Sequence, residues 1–174
     1  MRRLSSYLLA LVGIVALATA AAAQGSAVIP GRAIGDYQLG QVVDPMVSSL
    51  GPLHSSDDLP TGNMTGYYWP LKRIGVIADK SSKRIVALVV SLDDTYKTDR
   101  GVTVGADVNA FRGAYGKEDR VDQHQDDSTY VYDKLGIAFV VDDGGTLDQR
   151  VSLIYVFPPG QYQGIFMGGG QAGD

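Results

Sequence analysis

Tyr37-Gln38-Leu39-Gly40-Gln41-Val42-Val43-Asp44-Pro45-Met46-Val47-Ser48-Ser49-Leu50-Gly51 decides the fold, because its pattern occurs a second time further along the chain. A shift of 65 residues places Tyr37-Gln38-Leu39-Gly40 on Val102-Thr103-Val104-Gly105 and Leu50-Gly51 on Tyr115-Gly116. The same shift pairs Val43 with Val108, Met46 with Phe111 and Leu50 with Tyr115. Val43, Met46, Val47 and Leu50 follow the i, i+3, i+4, i+7 spacing of one apolar helix face. Asp44 is placed to cap the orphan amides, Pro45 suits the first helical position, and Gly51 can take the left-handed conformation that stops a helix. In the second occurrence Asp107 is the cap, Val108, Phe111 and Tyr115 form the face, and Gly116 is the stop.

Each expected helix leads through a polar loop, residues 52–65 and 117–127, to three runs of strand character. These are Gly66 to Leu71, Ile74 to Ala78 and Arg84 to Ser91, then Thr129 to Tyr132, Leu135 to Val141 and Arg150 to Phe157. Lys72-Arg73 and Asp133-Lys134 are the first turns, and residues 79–83 and 142–149 the second. Arg73-Ile74-Gly75-Val76 matches Lys134-Leu135-Gly136-Ile137 at a shift of 61, and Arg84-Ile85 matches Arg150-Val151 at 66. The pattern predicts an α+β fold of two tandem repeats, each a short helix followed by a three-stranded antiparallel meander, with the helices on one sheet face. Its divisions are a signal peptide over 1–23, an N-terminal lead-in over 24–33, repeats over 34–94 and 95–158, and a Gly-rich flexible tail over 159–174, in which Ile165, Phe166 and Met167 form a small apolar cluster free to dock.

The doubled order of helix ending in Leu-Gly or Tyr-Gly, aromatic strand, Gly-Val or Gly-Ile strand and final Val/Ile strand, spanning Gly35 to Phe157, resembles the tandem-repeat exported bacterial proteins related to β-lactamase inhibitor proteins. A single unit of this kind is similar to the exported SmpA/OmlA-type domains. The resemblance implies a protein-binding, inhibitor-like role. It also implies a disulfide in each repeat, and this chain has no cysteine.

Arg2 and Arg3, an apolar run from Tyr7 to Ala18 and Ala21-Ala22-Ala23 have the form of a cleaved export signal. Its apolar run is shorter than the roughly 20 residues of a spanning helix. The expected mature protein therefore starts near Gln24, is periplasmic or extracellular, and does not span a membrane. Loss of Arg2 and Arg3 from 15 basic residues leaves 13 against 19 acidic ones, a balance that argues against nucleic acid as partner. Absence of cysteine removes disulfides, thiolate metal sites, cysteine nucleophiles and lipid-accepting cysteines.

No catalytic, cofactor or metal-binding residues are assigned. His54 and His124 lie in the two helix-to-strand loops near Asp57, Asp58, Asp126 and Asp127, but without ligand spacing. Asp93-Asp94 and Asp142-Asp143 follow strands and precede turns, where Asp satisfies local amides. Nucleophile elbow, Walker loop, dinucleotide fingerprint and zinc helix are absent from the sequence. The remaining feature is the aromatic strand: at the shift of 61, Trp69 matches Tyr130 and Leu71 matches Tyr132, so large side chains recur at alternating positions. If these project from the face without helices, they form a binding patch; if they face the helices, they are core. The expectation carried forward is a non-enzymatic exported module that binds another exported or envelope protein, with Tyr67, Trp69, Tyr130 and Tyr132 as anchors and Lys72, Arg73 and Lys134 at the rim. The alternative is a structural or assembly factor of the cell envelope.

Overall fold

A computed structural model of the chain describes residues 26–52, 55–59, 62–143 and 149–167. Residues 1–23, expected as a signal peptide, Gln24, His54 and residues 168–174 lie outside them. In chain order the elements are β1 (Ala27–Ile29), β2 (Ala33–Ile34), β3 (Tyr37–Gln38), α1 (Val43–Leu50), β4 (Ser55–Asp58), β5 (Met64–Trp69), a 3₁₀ turn (Pro70–Lys72), β6 (Ile74–Asp79) and β7 (Ile85–Ser91). There follow β8 (Lys97–Thr98), α2 (Val108–Tyr115), β9 (Arg120–Gln123), β10 (Asp127–Tyr132), β11 (Ile137–Asp142), β12 (Arg150–Val156) and α3 (Tyr162–Phe166). The architecture is a mostly β, mixed α and β layout. Its main sheet has the order β4-β5-β6-β7-β12-β11-β10-β9, and a small second sheet has the order β3-β2-β1-β8.

Strand alternation divides the apolar residues of the main sheet between two faces. Ile74, Val76 and Ala78 of β6, Leu88 and Val90 of β7, and Ile137, Phe139 and Val141 of β11 join Val43 and Met46 of α1 and Phe111 and Tyr115 of α2 in one buried cluster. Fully burying one such side chain is worth roughly 1.5–3 kcal/mol, so this layer carries most of the stabilisation. The intervening residues Ile77, Ala87, Val131 and Ala138 belong to a second cluster on the other face, closed by Phe157, Tyr162 and Ile165.

Several sequence expectations need correction. Four strands of the main sheet follow each of the first two helices, not three, because the polar loops contribute the outer strands β4 and β9. Helices also lie on both faces, not one: α3, within the segment expected as flexible tail, buries Tyr162 and Ile165 on the face opposite α1 and α2. Its Tyr162 amide donates to the Asp133 carboxylate at 3.1 Å, and Phe166 meets Tyr155 edge-on with ring centres 4.9 Å apart. The lead-in supplies β1 and the first residue of β2, and the two strands pair antiparallel through Val28 with Ile34 and Ile29 with Ala33.

Helix termini follow the sequence in part. Asp107 caps α2 by accepting from the Ala110 amide at 2.9 Å, whereas α1 starts at Val43 and Asp44 sits in its first turn without capping. Gly51 and Gly116 both have positive φ, 81° and 82°, but their ψ near −160° puts them in the glycine-specific extended region and not in the left-handed helical one.

Matching bonds occur in the two halves of the main sheet. Trp69 Nε1 donates to the Gly51 carbonyl at 3.2 Å and Tyr132 Oη to that of Gly116 at 2.8 Å. Arg84 and Arg150 donate to the carbonyls of Gly40 and Gly105 at 2.6 and 2.9 Å. Trp69 pairs with Ile74 as Tyr132 pairs with Ile137, and the strand register slips at Ile77/Ala78 as at Val140/Val141. In its bonding and strand pairing Trp69 matches Tyr132 and not Tyr130, two residues away from the match at a shift of 61. The Gly-Val and Gly-Ile strings misled the alignment, because Gly75 lies inside β6 while Gly136 is in the turn before β11.

Candidate functional site

The four aromatic residues expected as anchors all point to the helix-covered face. Trp69 is 2 % exposed and Tyr132 3 % exposed, both in the main core. Tyr67 and Tyr130 are half-buried against the same cluster. Tyr67 stacks on Trp69 with ring centres 6.4 Å apart, and Tyr130 packs on Phe111 at 5.1 Å. Burial pushes the Tyr132 phenol up to about 12. The indole N–H and phenol O–H that could have served a partner instead hold the helix-terminating carbonyls, so these residues are core and not anchors.

The expected rim disperses as well. Lys72 and Arg73 are exposed at the 3₁₀ turn, and Arg73 has positive φ. Lys72 lines a pocket on the helix side with Tyr37, Ser49 and Tyr96. Lys134 pairs with Asp119 at 3.1 Å. His124 is exposed in the loop after β9, and among the described residues no group of three or more His, Cys, Asp or Glu could hold a metal ion. Asp93 accepts the Thr95 amide and hydroxyl at 2.9 and 2.6 Å, the local turn bonding its position predicts. Asp143 accepts from the Ser128 hydroxyl and from Gln149. Asp79 gathers bonds from Ser81 and Ser82 that lower its carboxyl to about 2.

A different surface is concave. On the face opposite α1 and α2, β5 presents Gly66 and Tyr68, β6 Gly75 and Ile77, β7 Val89 and Ser91, and β12 Leu153 and Tyr155. Together with Leu59, Asp57 and Leu92 they line an open, apolar groove of about 590 Å³. Gly66 leaves its part of the floor without a side chain, while the Tyr68 ring lies across Gly75 and its hydroxyl meets Ser91 Oγ at 3.2 Å. Leu92, 55 % exposed, forms one lip, and Asp57 is the charged side chain in the lining. Burial raises the Tyr155 phenol above its ordinary value, with Asp127 adding to the effect. Most of the groove's described lining is apolar or aromatic, which suits it to contact with apolar and aromatic side chains.

The sequence reading missed these residues because it followed Trp69 and its parity. The signal was present in the alternate positions: Gly66 and Tyr68 interleave with Tyr67 and Trp69, and two strand glycines facing one way mark a surface another body can approach closely.

No family model matches the chain, and no curated protein matches it. Among solved structures it is similar to the uncharacterized protein yfeY from Escherichia coli, with 15 % identity over 76 % of this chain and 98 % of that one and a TM-score of 0.49. It is also similar to a DUF4309 family protein, YjgB, from Bacillus subtilis, with 17 % identity over 66 % and 76 % of the two chains and a TM-score of 0.41. Both are bacterial proteins. Neither match bears on the likeness to β-lactamase inhibitor proteins or SmpA/OmlA-type domains. Among the described residues no helix is long and apolar enough to cross a membrane.

Proposed function

We propose that the chain is an exported, non-enzymatic protein-binding module and that it binds through the groove between β5 and β12. The observation that carries this reading is the groove itself: an apolar concavity that no described residue covers, on a sheet whose other face and remaining half are packed. Exposed apolar patches of this kind mark interaction sites more often than bare surface. Export is supported by the Arg2-Arg3, apolar and Ala21-Ala22-Ala23 pattern. A protein as the partner is supported by the inhibitor-like residue pattern. The matching hydrogen bonds of the two halves support residues 34–94 and 95–158 as copies of one helix-led unit.

A photoreactive phenylalanine analogue at Leu92, on the groove lip, and at Leu71, 96 % exposed in the 3₁₀ turn, tests the proposal in the exported fraction of the native host. A protein adduct of one defined mass is expected at Leu92 and none at Leu71. Adducts at Leu71 alone, or at neither position, would reject the groove as a protein-binding site.

A further inference from the structure

The main sheet carries a record of what its groove is shaped to take. On the same face, the half formed by β10, β11 and β12 is covered by α3, which seats Tyr162, Ile165 and Phe166 on Val131, Ala138, Phe157 and Tyr155. The bonds shared by the two halves fix which positions correspond: with Trp69 on Tyr132 and Ile74 on Ile137, Tyr68 answers to Val131 and Gly75 to Ala138. Similarly, with Arg84 on Arg150, Val89 answers to Tyr155 and Ser91 to Phe157. Tyr68, Gly75, Val89 and Ser91 are lining residues of the groove. The groove thus lies where the first half would have its α3 seat: among the described residues no helix covers it, and its floor at Gly75 and Ser91 is crossed by the Tyr68 ring.

We infer that the groove takes a short amphipathic helical segment of another protein, built like α3, with aromatic or aliphatic side chains at i, i+3 and i+4 and a basic residue beside Asp57. This rests on the protein-binding reading and names the partner's recognition element. Three observations select that occupant. The α3 seat and the groove are one continuous surface, because Tyr155 contacts Phe166 on one side and lines the groove on the other. Gly168-Gly169-Gly170-Gln171-Ala172-Gly173-Asp174 has no large apolar side chain, so its sequence offers nothing like the Tyr162, Ile165 and Phe166 set. Asp57 is the charged group in the lining, and the chain has an acidic excess, which favours a basic flank on the partner. Helix-in-groove recognition reads the i, i+3, i+4 pattern that Tyr162, Ile165 and Phe166 display.

The probe is a side-chain-stapled peptide with the sequence of residues 161–167 and one added lysine, since so short a helix does not hold its shape alone in water. It is titrated into the isotope-labelled chain 24–174 and followed by amide shifts. Saturable shifts are expected at Gly66, Tyr68, Gly75, Val89 and Leu153, and none with a peptide bearing serine at the three apolar positions. Gly66→Val is the matching variant. A Cβ at Gly66 meets nothing nearer than the Asp57 carbonyl at 3.7 Å, so the added side chain enters the groove without strain. Its melting temperature should be unchanged or higher, because valine favours a strand where glycine does not, while peptide affinity falls at least about tenfold. Shifts centred on Val131 and Ala138 would mean that the peptide displaces α3 instead, and would overturn the inference. Occupation of the groove by an extended peptide or a detergent chain but not by the helical one would overturn it while leaving groove binding intact. A dimer of the chain that Gly66→Val dissociates would assign the groove to a second copy. Silence from every probe would sink the inference and the binding reading together.

Discussion

Replacing Trp69 with alanine separates a core role from an anchor role more sharply than any other single change. The indole is 2 % exposed, stacks on Tyr67 and joins the cluster that α1 and α2 close. Truncation of a buried tryptophan costs about 3–5 kcal/mol through lost transfer energy and the cavity left behind. The Nε1 bond to the Gly51 carbonyl adds about 1 kcal/mol, offset in part where water reaches the freed oxygen. A net loss of about 4 kcal/mol is a large share of the 5–15 kcal/mol that typical domains possess. At about 2–4 °C per kcal/mol for a chain of this size, the midpoint should fall by roughly 10 °C. Urea and thermal unfolding followed by far-ultraviolet circular dichroism give the value; tryptophan fluorescence cannot serve, because Trp69 is the chain's one tryptophan. A loss below about 1 kcal/mol would refute the assignment of Trp69 to the core.

Gly136→Ala should be severe, about 3 kcal/mol or more: the residue has φ +72°, and a Cβ there would run into the Phe157 carbonyl oxygen and the Gly31 backbone, so near-normal thermal stability would refute the turn geometry. Phe166→Ala removes contacts to Tyr155, Phe157 and Tyr162 and should cost about 1–3 kcal/mol while raising binding of an apolar dye; unchanged dye binding would mean that α3 does not shield this face. Glu118, held below its ordinary 4.5 by bonds from Arg112 at 3.0 and 2.5 Å, stabilises the fold above that ordinary value and loses the contribution as pH falls through the lower folded value. The stability gap between wild type and Glu118→Gln should therefore be present at pH 7 and close toward pH 3, and a gap independent of pH would contradict the assignment.

Helix positions were legible in the sequence because 3.6-residue periodicity and terminal glycines leave local marks: Val43, Met46, Phe111 and Tyr115 are buried as their spacing implies. The inner strands were legible from their Val and Ile runs. The outer strands were not, since Ser55-Ser56-Asp57-Asp58 has the composition of a loop and pairs only because β5 offers it an edge. Face assignment failed for a physical reason. Strand parity is fixed by what covers each side, and both parities of β5 are aromatic, Tyr67 and Trp69 against Tyr68, so the run does not say which side the helices take. α3 was illegible as structure because Gly164 and its short length give almost no helical propensity, and docking of Tyr162, Ile165 and Phe166 supplies what the local sequence lacks.

Carbene footprinting of the chain, free and in complex with whatever protein the crosslinking captures, tests the proposed binding groove most directly, because it reads side-chain accessibility residue by residue. Protection is expected at Tyr68, Val89, Leu92 and Leu153, with Leu71 and Val42 labelled equally in both states. Protection centred on Leu71, Val42 or the helix side, with the groove residues unchanged, would contradict it.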